Sequence, residues 1–371
     1  MHYLKPFSRT RLLSGLLLLL FCNLSHAQSI RELGNARGKY IGSVVTETFH
    51  KNPTVPANYR EVFNREFNII MPENAMEMDD IQPTRGNFTW RKTEEVLAFA
   101  EKNNMRTRGH VLVWYDQIPK WIKEASPAFT RRELLDVLKN HIFTVMGHFK
   151  GRIHEWNVVN EVFDVNGRFR GEPGSLTGNE TSLWYNVIGP EYLDSVFTWA
   201  RQADPTAELY FSENGVEFIE VKQTALINCI RGLKSRGVPV DGVALEAHIK
   251  KYNLSDTDIS IISGLVDSLA STGVLVAFSE LDIGIPKGMV ATDSVLQVQG
   301  HSYALLTNLF MQKPCMKTMM MWGFNDRYSW LVPVYGRHSP LLFDAQNHPK
   351  PAYDSVVSVL KRYPPIGLNR K

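Results

Sequence analysis

Residues 154–161 read His-Glu-Trp-Asn-Val-Val-Asn-Glu, an apolar-rich run that ends in an amide and a carboxylate. Similar short apolar runs recur along the chain, separated by amphipathic helical patterns. The predicted strands are Tyr40–Val44, Phe67–Met71, Arg106–Trp114, His154–Asn160, Glu208–Ser212, Gly242–Ala247, Val274–Glu280 and Thr318–Trp322. Eight strands that alternate with helices indicate an α/β protein with a (β/α)8 TIM barrel rather than an open sheet.

Two of the predicted helices carry start signals. Arg131–Lys150 has apolar side chains at positions 134, 138, 142, 145 and 149, and a Thr130-x-x-Glu133 capping box precedes them. A second helix is predicted for Asp256–Ser271, behind Ser255-x-x-Asp258. No Pro- or Ser-rich linker interrupts this alternation, so we expect one barrel domain over residues 28–371.

The composition excludes several classes of protein. Of 371 residues, 44% are apolar and 21% are charged, which rules out a disordered or collagen-like chain. Three of the 41 Lys and Arg residues lie before residue 28, where there is no acid, so the rest of the chain has 38 cations against 38 Asp and Glu. A neutral body argues against a nucleic-acid partner, because such proteins carry a basic excess.

The amino terminus has the pattern of a secretory signal peptide over residues 1–27. Three cations precede the apolar run 12–21, and Ser25-His26-Ala27 forms a small-x-small cleavage pattern. We therefore expect a secreted or periplasmic protein without a membrane span, and a lipid anchor on Cys22 is the less favoured alternative. Cys229 and Cys315 remain, and buried free thiols are favoured over a lone disulfide.

Polar side chains follow nearly every predicted strand, at the end where barrel enzymes hold their active sites. Glu161 follows the fourth strand and Glu280 ends the seventh, which face each other across an eight-stranded ring. Two carboxylates that face one cleft are what glycoside hydrolysis requires. The usual phosphate-binding, serine-hydrolase and zinc-protease motifs do not occur in the sequence.

Five motifs in order along the chain resemble glycoside hydrolase family 10, the retaining endo-β-1,4-xylanases. They are Pro72–Met76, Arg108–Trp114, Trp156–Glu161, Ser279–Ile283 and Trp322–Asp326, and the segments 117–121, 329–330 and 349–353 extend the match. The resemblance covers essentially the whole chain after the signal peptide. It implies an enzyme that cleaves xylan with retention and needs no metal or organic cofactor, and we expect a monomer.

The resemblance assigns roles residue by residue. It makes Glu161 the acid/base and Glu280 the nucleophile, with the two carboxyls about 5–5.5 Å apart. Asn160 would hold the sugar 2-OH, and Asp282 would orient His248 against the nucleophile. The further substrate-binding residues that it implies are Glu73, Asn74, His110, Trp114, Gln117, Trp322 and Trp330. Trp156 is expected to pack in the core.

The sequence departs from the family pattern at four places on this rim. They are Glu77 for the usual lysine, Tyr115 for histidine, Ser212-Glu213-Asn214-Gly215 for Asn-Asp-Tyr-Asn, and Glu246 for glutamine. Two of these changes are expected to add negative charge near the pocket on the non-reducing side of the scissile bond. We therefore expect altered recognition of plain xylose there, through a raised pKa of a neighbour or selection against uronic acid side groups.

Three alternatives remain open from the sequence. A glycan-binding protein on an inactive barrel would have lost one carboxylate, and both are present. A metal-assisted hydrolase would need clustered ligands, whereas the strand ends offer only His110 and His248. A retaining β-glycosidase that acts on another β-glycan keeps the same chemistry and differs only in substrate.

Overall fold

The computed structural model describes residues 28–46, Phe49 and 58–366, together with His2. The predicted signal peptide, apart from His2, lies outside these residues. Within them, no helix has the length and apolar character needed to cross a membrane.

Eight parallel strands close into a barrel, which confirms the predicted fold. The described residues form these eight and the short β7: β1 (Tyr40–Val45), β2 (Ile69–Pro72), β3 (Arg106–Trp114), β4 (Glu155–Asn160), β5 (Glu208–Glu213), β6 (Gly242–Leu245), β7 (His248–Ile249), β8 (Leu275–Ile283) and β9 (Met316–Met321). Each barrel strand pairs with the next, β6 pairs directly with β8, and β9 pairs with β1 to close the ring. The observed bounds lie within three residues of the predicted ones.

The predicted strand Gly242–Ala247 was too long. β6 ends at Leu245, and the two-residue β7 pairs with β8 beyond it, with His248 opposite Asp282. The break falls at Ala247, whose φ of +61° no regular strand adopts and whose N–H donates to Glu217 Oε1 at 2.8 Å. This interruption sets His248 apart from the barrel ladder and beside the end of β8.

Thirteen α-helices are present in the described part of the chain. They are α1 (Ile30–Asn35), α2 (Tyr59–Glu66), α3 (Met78–Ile81), α4 (Arg91–Lys102), α5 (Lys120–Lys123), α6 (Arg131–His148), α7 (Leu183–Ile188), α8 (Tyr192–Ala203), α9 (Glu220–Ser235), α10 (Asp256–Ala270), α11 (Asp293–Gln312), α12 (Leu331–Tyr335) and α13 (Pro351–Arg362). The capping boxes predicted for α6 and α10 both form, at Thr130 and Ser255. All five predicted apolar positions of the α6 pattern are buried.

A buried polar group occupies the barrel interior. Arg108 is fully buried and donates to Glu155 Oε2 at 2.6 Å and to Asn157 Oδ1 at 2.7 Å. Arg106 donates to the other oxygen of Glu155 at 2.7 Å. Because an unpaired buried charge costs several kcal/mol, this ion pair depends on its full set of partners.

Two smaller predictions concern single residues. Trp156 lies in the core, as expected, and its ring occupies the space beside Gly109. Cys229 and Cys315 are free thiols, which confirms that part of the prediction, but both keep some solvent exposure. The expectation that they are buried is therefore wrong, because each lies on or next to the outer helical layer rather than inside the barrel.

Gly42 gives a test of strand packing. A Cβ there would lie 1.9 Å from the Ile69 carbonyl oxygen of the paired strand, so we expect Gly42→Ala to lower the free energy of unfolding by about 3 kcal/mol. Gly264→Ala is the matched control, because Gly264 is an exposed helical position with open space, and alanine there should stabilise by about 0.5–1 kcal/mol. Urea unfolding followed by tryptophan fluorescence measures both, and equal effects would contradict this view of the β1–β2 contact.

Candidate active site

The two predicted carboxyls lie at the same rim of the barrel, at the ends of two non-adjacent strands, β4 and β8, with β5 and β6 between them. Glu161 follows β4 directly and has a φ of +50°, which is uncommon for a residue with a side chain. Glu280 lies inside β8 and is 4% exposed. The charge of Glu280 is one of the causes that raise the pKa of Glu161, so the two carboxyls interact across one cleft.

Glu280 is held by a histidine that is itself held by an aspartate. His248 Nε2 lies 3.3 Å from Glu280 Oε2, and His248 Nδ1 lies 3.0 Å from Asp282 Oδ2. Trp330 donates its indole N–H to the same Asp282 oxygen at 2.9 Å. Burial lowers the pKa of His248, but the charges and hydrogen bonds of Asp282 and Glu280 outweigh burial and raise it well above its ordinary value. An imidazolium ion therefore faces the proposed nucleophile.

Glu161 accepts a hydrogen bond on each carboxyl oxygen. Trp114 Nε1 donates to Oε2 at 3.1 Å, and Asn214 Nδ2 donates to Oε1 at 2.6 Å. Burial, followed by the charge of Glu213, raises the pKa of Glu161, while Arg170 and the Trp114 hydrogen bond oppose that rise. A raised pKa favours the protonated carboxyl that a general acid needs.

Sequence reasoning missed Lys222, which supports Glu161 indirectly. Its side chain is 1% exposed, and Nζ lies 2.7 Å from Glu213 Oε1 and 2.6 Å from Asn214 Oδ1. Since the ammonium group holds the amide oxygen, the amide nitrogen of Asn214 is turned toward Glu161. The sequence offers one weak signal, which is that Lys222 lies in the first turn of α9, at the end that meets the rim.

Arg170 is a second residue that the sequence analysis did not single out. It donates to the backbone carbonyl of Glu161 at 2.9 Å, its guanidinium stacks 3.9 Å from the ring of Tyr115, and it forms an ion pair with Glu180. It therefore fixes the backbone that carries the acid/base candidate. Arg170 belongs to a glycine-rich, charged loop after β4 that looks like ordinary surface in the sequence.

The remaining predicted binding residues lie at the same rim. The His110 ring lies 5.3 Å from Trp322, and the Trp330 ring lies 4.9 Å from His248. Asn160 Oδ1 is buried without a hydrogen-bond partner among the described residues, which suits an amide that waits for a sugar hydroxyl. Glu73 and Asn74 follow β2, Asn74 is exposed, and Gln117 follows β3 with its carbonyl bound to the Asp79 N–H at 3.0 Å.

The expected charge reversal at the rim is wrong for Glu77. Its side chain is 6% exposed, and burial with the nearby charges of Asp79 and Glu73 raises its pKa to about 9. The carboxyl is therefore uncharged at neutral pH. Burial and the charge of Glu280 likewise raise the pKa of Glu246 well above its ordinary value. Glu77 thus adds a protonated carboxyl that can donate a hydrogen bond, and the same causes favour the protonated form of Glu246.

Three ligand-type side chains cluster at this rim, since single oxygen or nitrogen atoms of Glu246, His248 and Glu280 lie within 4.8 Å of one another. His248 places both ring nitrogens against carboxylates, and its raised pKa keeps both protonated. The cluster is therefore arranged so that His248 can share protons with the carboxyls on both sides of its ring.

A closed parallel barrel that brings two carboxyls to one rim has the arrangement that hydrolysis of glycosidic bonds requires. The sequence matches the profile of glycosyl hydrolase family 10 over residues 29–359. The chain therefore belongs to glycosyl hydrolase family 10, and the resemblance proposed from its motifs is confirmed.

Relatives and solved structures agree with this membership. The chain is 32% identical to endo-1,4-beta-xylanase B of Thermotoga neapolitana, over 93% of this chain and 96% of that protein. It is 34% identical to exoglucanase XynX of Acetivibrio thermocellus, over 87% of this chain but only 29% of that protein's length. The crystal structure of xylanase 10B from Thermotoga petrophila in complex with xylobiose superposes with a TM-score of 0.83 and 37% identity, over 90% of this chain and 97% of that one.

The raised pKa of Glu77 makes stability depend on pH. The unfolded chain ionises Glu77 near pH 4.5 and the folded chain near pH 9, so the group destabilises the fold progressively as the pH rises between these values. We expect the uncharged Glu77→Gln protein to gain on the parent with rising pH, by up to about 1.4 kcal/mol per pH unit. Urea unfolding at pH 5, 7 and 8.5 measures this, with the exposed Glu124→Gln protein as control. A stability difference that does not change with pH would contradict the buried, protonated state of Glu77.

Proposed function

We propose that this chain hydrolyses internal β-1,4-xylosidic bonds of xylan with retention of anomeric configuration. The observation that carries the proposal is the different surroundings of the two carboxyls. Glu161 has a raised pKa, and Glu280 lies against the cationic His248. One group is thus suited to give a proton and the other to attack carbon.

The first step forms a glycosyl-enzyme intermediate. A carboxylate oxygen of Glu280 bonds to the anomeric carbon while the bond from that carbon to the glycosidic oxygen breaks. Glu161 gives its proton to the departing oxygen, which leaves as the hydroxyl of the released sugar chain. Asn160, with its free buried amide oxygen, accepts a hydrogen bond from the 2-OH of the reacting sugar.

The second step reverses the proton transfer. Glu161, now ionised, takes a proton from a water molecule whose oxygen attacks the anomeric carbon, and Glu280 leaves as a carboxylate. Two inversions give overall retention. His248 stays protonated throughout because Asp282 holds its other nitrogen, so Glu280 keeps a hydrogen-bond donor in both steps.

The names of relatives support xylan as the substrate, since most of the similar curated proteins are called endo-1,4-beta-xylanases. A β-1,4-glucan is the second candidate, favoured by the relative named an exoglucanase.

Residues 1–27 support export of the enzyme to the periplasm or medium. Both carboxyls come from one chain, which supports activity as a monomer.

Product analysis tests the proposed activity. The protein without residues 1–27 should release short xylooligosaccharides from xylan and far less sugar from β-1,4-glucan, and proton NMR should show the β-anomer first. Glu280→Ala should abolish release, and Glu161→Ala should reduce it by about 10²–10⁴-fold. Glu124→Gln serves as the control. The α-anomer as first product would contradict retention, and release from glucan alone would move the activity to the second substrate.

The Trp114 hydrogen bond tests the role of Glu161. Trp114→Phe removes a donor that stabilises the ionised carboxyl, so the pKa of Glu161 should rise. Because the acid must be protonated, the alkaline limb of the kcat/KM profile should move up by about half to one pH unit. Trp322→Phe is the matched control, since its ring packs against His110 and not Glu161. An unmoved or lowered limb would contradict the assignment of Glu161 as the acid.

A further inference from the structure

A second cavity adjoins the catalytic residues. It has a volume of about 270 Å³, near the lower end for ligand pockets, with room for about one sugar ring. His248, Asp282 and Trp330 form the wall that it shares with the active site. The opposite wall comes from segments outside the barrel, and none of the mechanism above uses it.

The outer wall is basic. Lys250 follows β7, Lys287 lies in the loop after β8, and Arg337 follows α12. In the part of the chain that the structure describes, no carboxylate oxygen lies within 4.0 Å of a side-chain nitrogen of these three residues. Arg337 Nε is buried and has no hydrogen-bond partner among the described residues. An unpartnered buried guanidinium nitrogen is costly and indicates a site that awaits an acceptor.

The charge of this cavity is not cancelled from its inner wall. Asp282 is the single carboxylate among the described lining residues, and one of its oxygens already accepts from Trp330 and lies 3.0 Å from His248 Nδ1. The three cations of the outer wall exceed this one carboxylate. The three outer cations therefore leave the cavity with a net positive charge.

Local contacts hold the basic wall in place. Arg337 Nη2 donates to the backbone carbonyl of Lys250, which joins the segments after β7 and α12. The aliphatic part of Lys287 lies over Gly336, where a Cβ would come within 3.0 Å of Lys287 Cδ. Gly336 has a φ of +61°, so the backbone there favours glycine and leaves room for the lysine.

We infer that this cavity binds a uronic acid substituent carried by the xylan backbone. Lysine and arginine nitrogens recognise the carboxylate, and the faces of Trp330 and the exposed Tyr335 contact the sugar ring. Because His248 and Asp282 belong to both sites, the substituent reaches the cavity from a backbone that lies in the active site. The inference rests on the proposed function, and it reverses the expectation of selection against uronic acids, which depended on charges that Glu77 does not carry.

The test compares two xylooligosaccharides of equal length, one plain and one with a single uronic acid. The ratio of their kcat/KM values, substituted over plain, should exceed one for the parent. It should fall by about three- to tenfold in Lys250→Ala/Lys287→Ala and further in Lys287→Glu, because exposed charge pairs contribute modestly. Lys361→Ala, at an exposed lysine of α13, is the matched control. The preference should also weaken at high salt.

A carboxyl-reduced version of the same oligosaccharide separates charge from shape, and it should bind no better than the plain sugar. A preference that survives reduction, or equal losses on plain and substituted substrates, would overturn the inference. Calorimetric titration of the Glu280→Ala protein with both sugars keeps this test independent of turnover. A protein that binds the uronic acid preferentially but hydrolyses neither sugar would refute the proposed function and leave the cavity assignment standing.

Discussion

Four carboxyl side chains crowd the mouth of this barrel, and the rest of the site depends on how their repulsion is relieved. Glu161, Glu213, Glu246 and Glu280 interact electrostatically through a buried, weakly screened region. Lys222 neutralises Glu213, and His248 does the same for Glu280. The other two carboxyls keep their protons to higher pH. Such a site places a protonated carboxyl and an ionised one side by side, and neighbouring side chains decide which is which.

The barrel interior supports this arrangement from below. The buried pair of Arg108 and Glu155 positions Asn157, whose amide lies 2.8 Å from His110 Nδ1, and that nitrogen lies 3.8 Å from Glu280 Oε1. Burial lowers the pKa of His110, so this histidine stays neutral while His248 is charged. Two histidines therefore approach Glu280 in different charge states, because burial disfavours the proton on His110 whereas Asp282 and Glu280 favour it on His248.

The sequence was sufficient to predict the features that follow from the periodic alternation of strands and helices. All eight barrel strands and the placement of Glu161 and Glu280 at one rim were predictable, because parallel strands place their carboxyl ends at one rim. The expectation that their two strands face each other across the ring was wrong, since only β5 and β6 lie between β4 and β8. The break at Ala247, the buried Lys222 and the stacking of Arg170 on Tyr115 were not, since each depends on a tertiary contact. The charge of Glu77 was predicted wrongly because residue type gives the charge in water and burial decides it in the protein.

The changed residues at the rim and the basic cavity both affect the sign of the electrostatic potential at the site where substrate binds. Replacing lysine by an ionised glutamate would make the cleft repel an acidic sugar. A protonated Glu77 removes a positive charge and adds none of the opposite sign. The cations at Lys250, Lys287 and Arg337 form the outer wall of the cavity that His248 also lines. An anionic substituent is thus drawn toward that side of the site, while the neutral backbone is held by aromatic faces and hydrogen bonds.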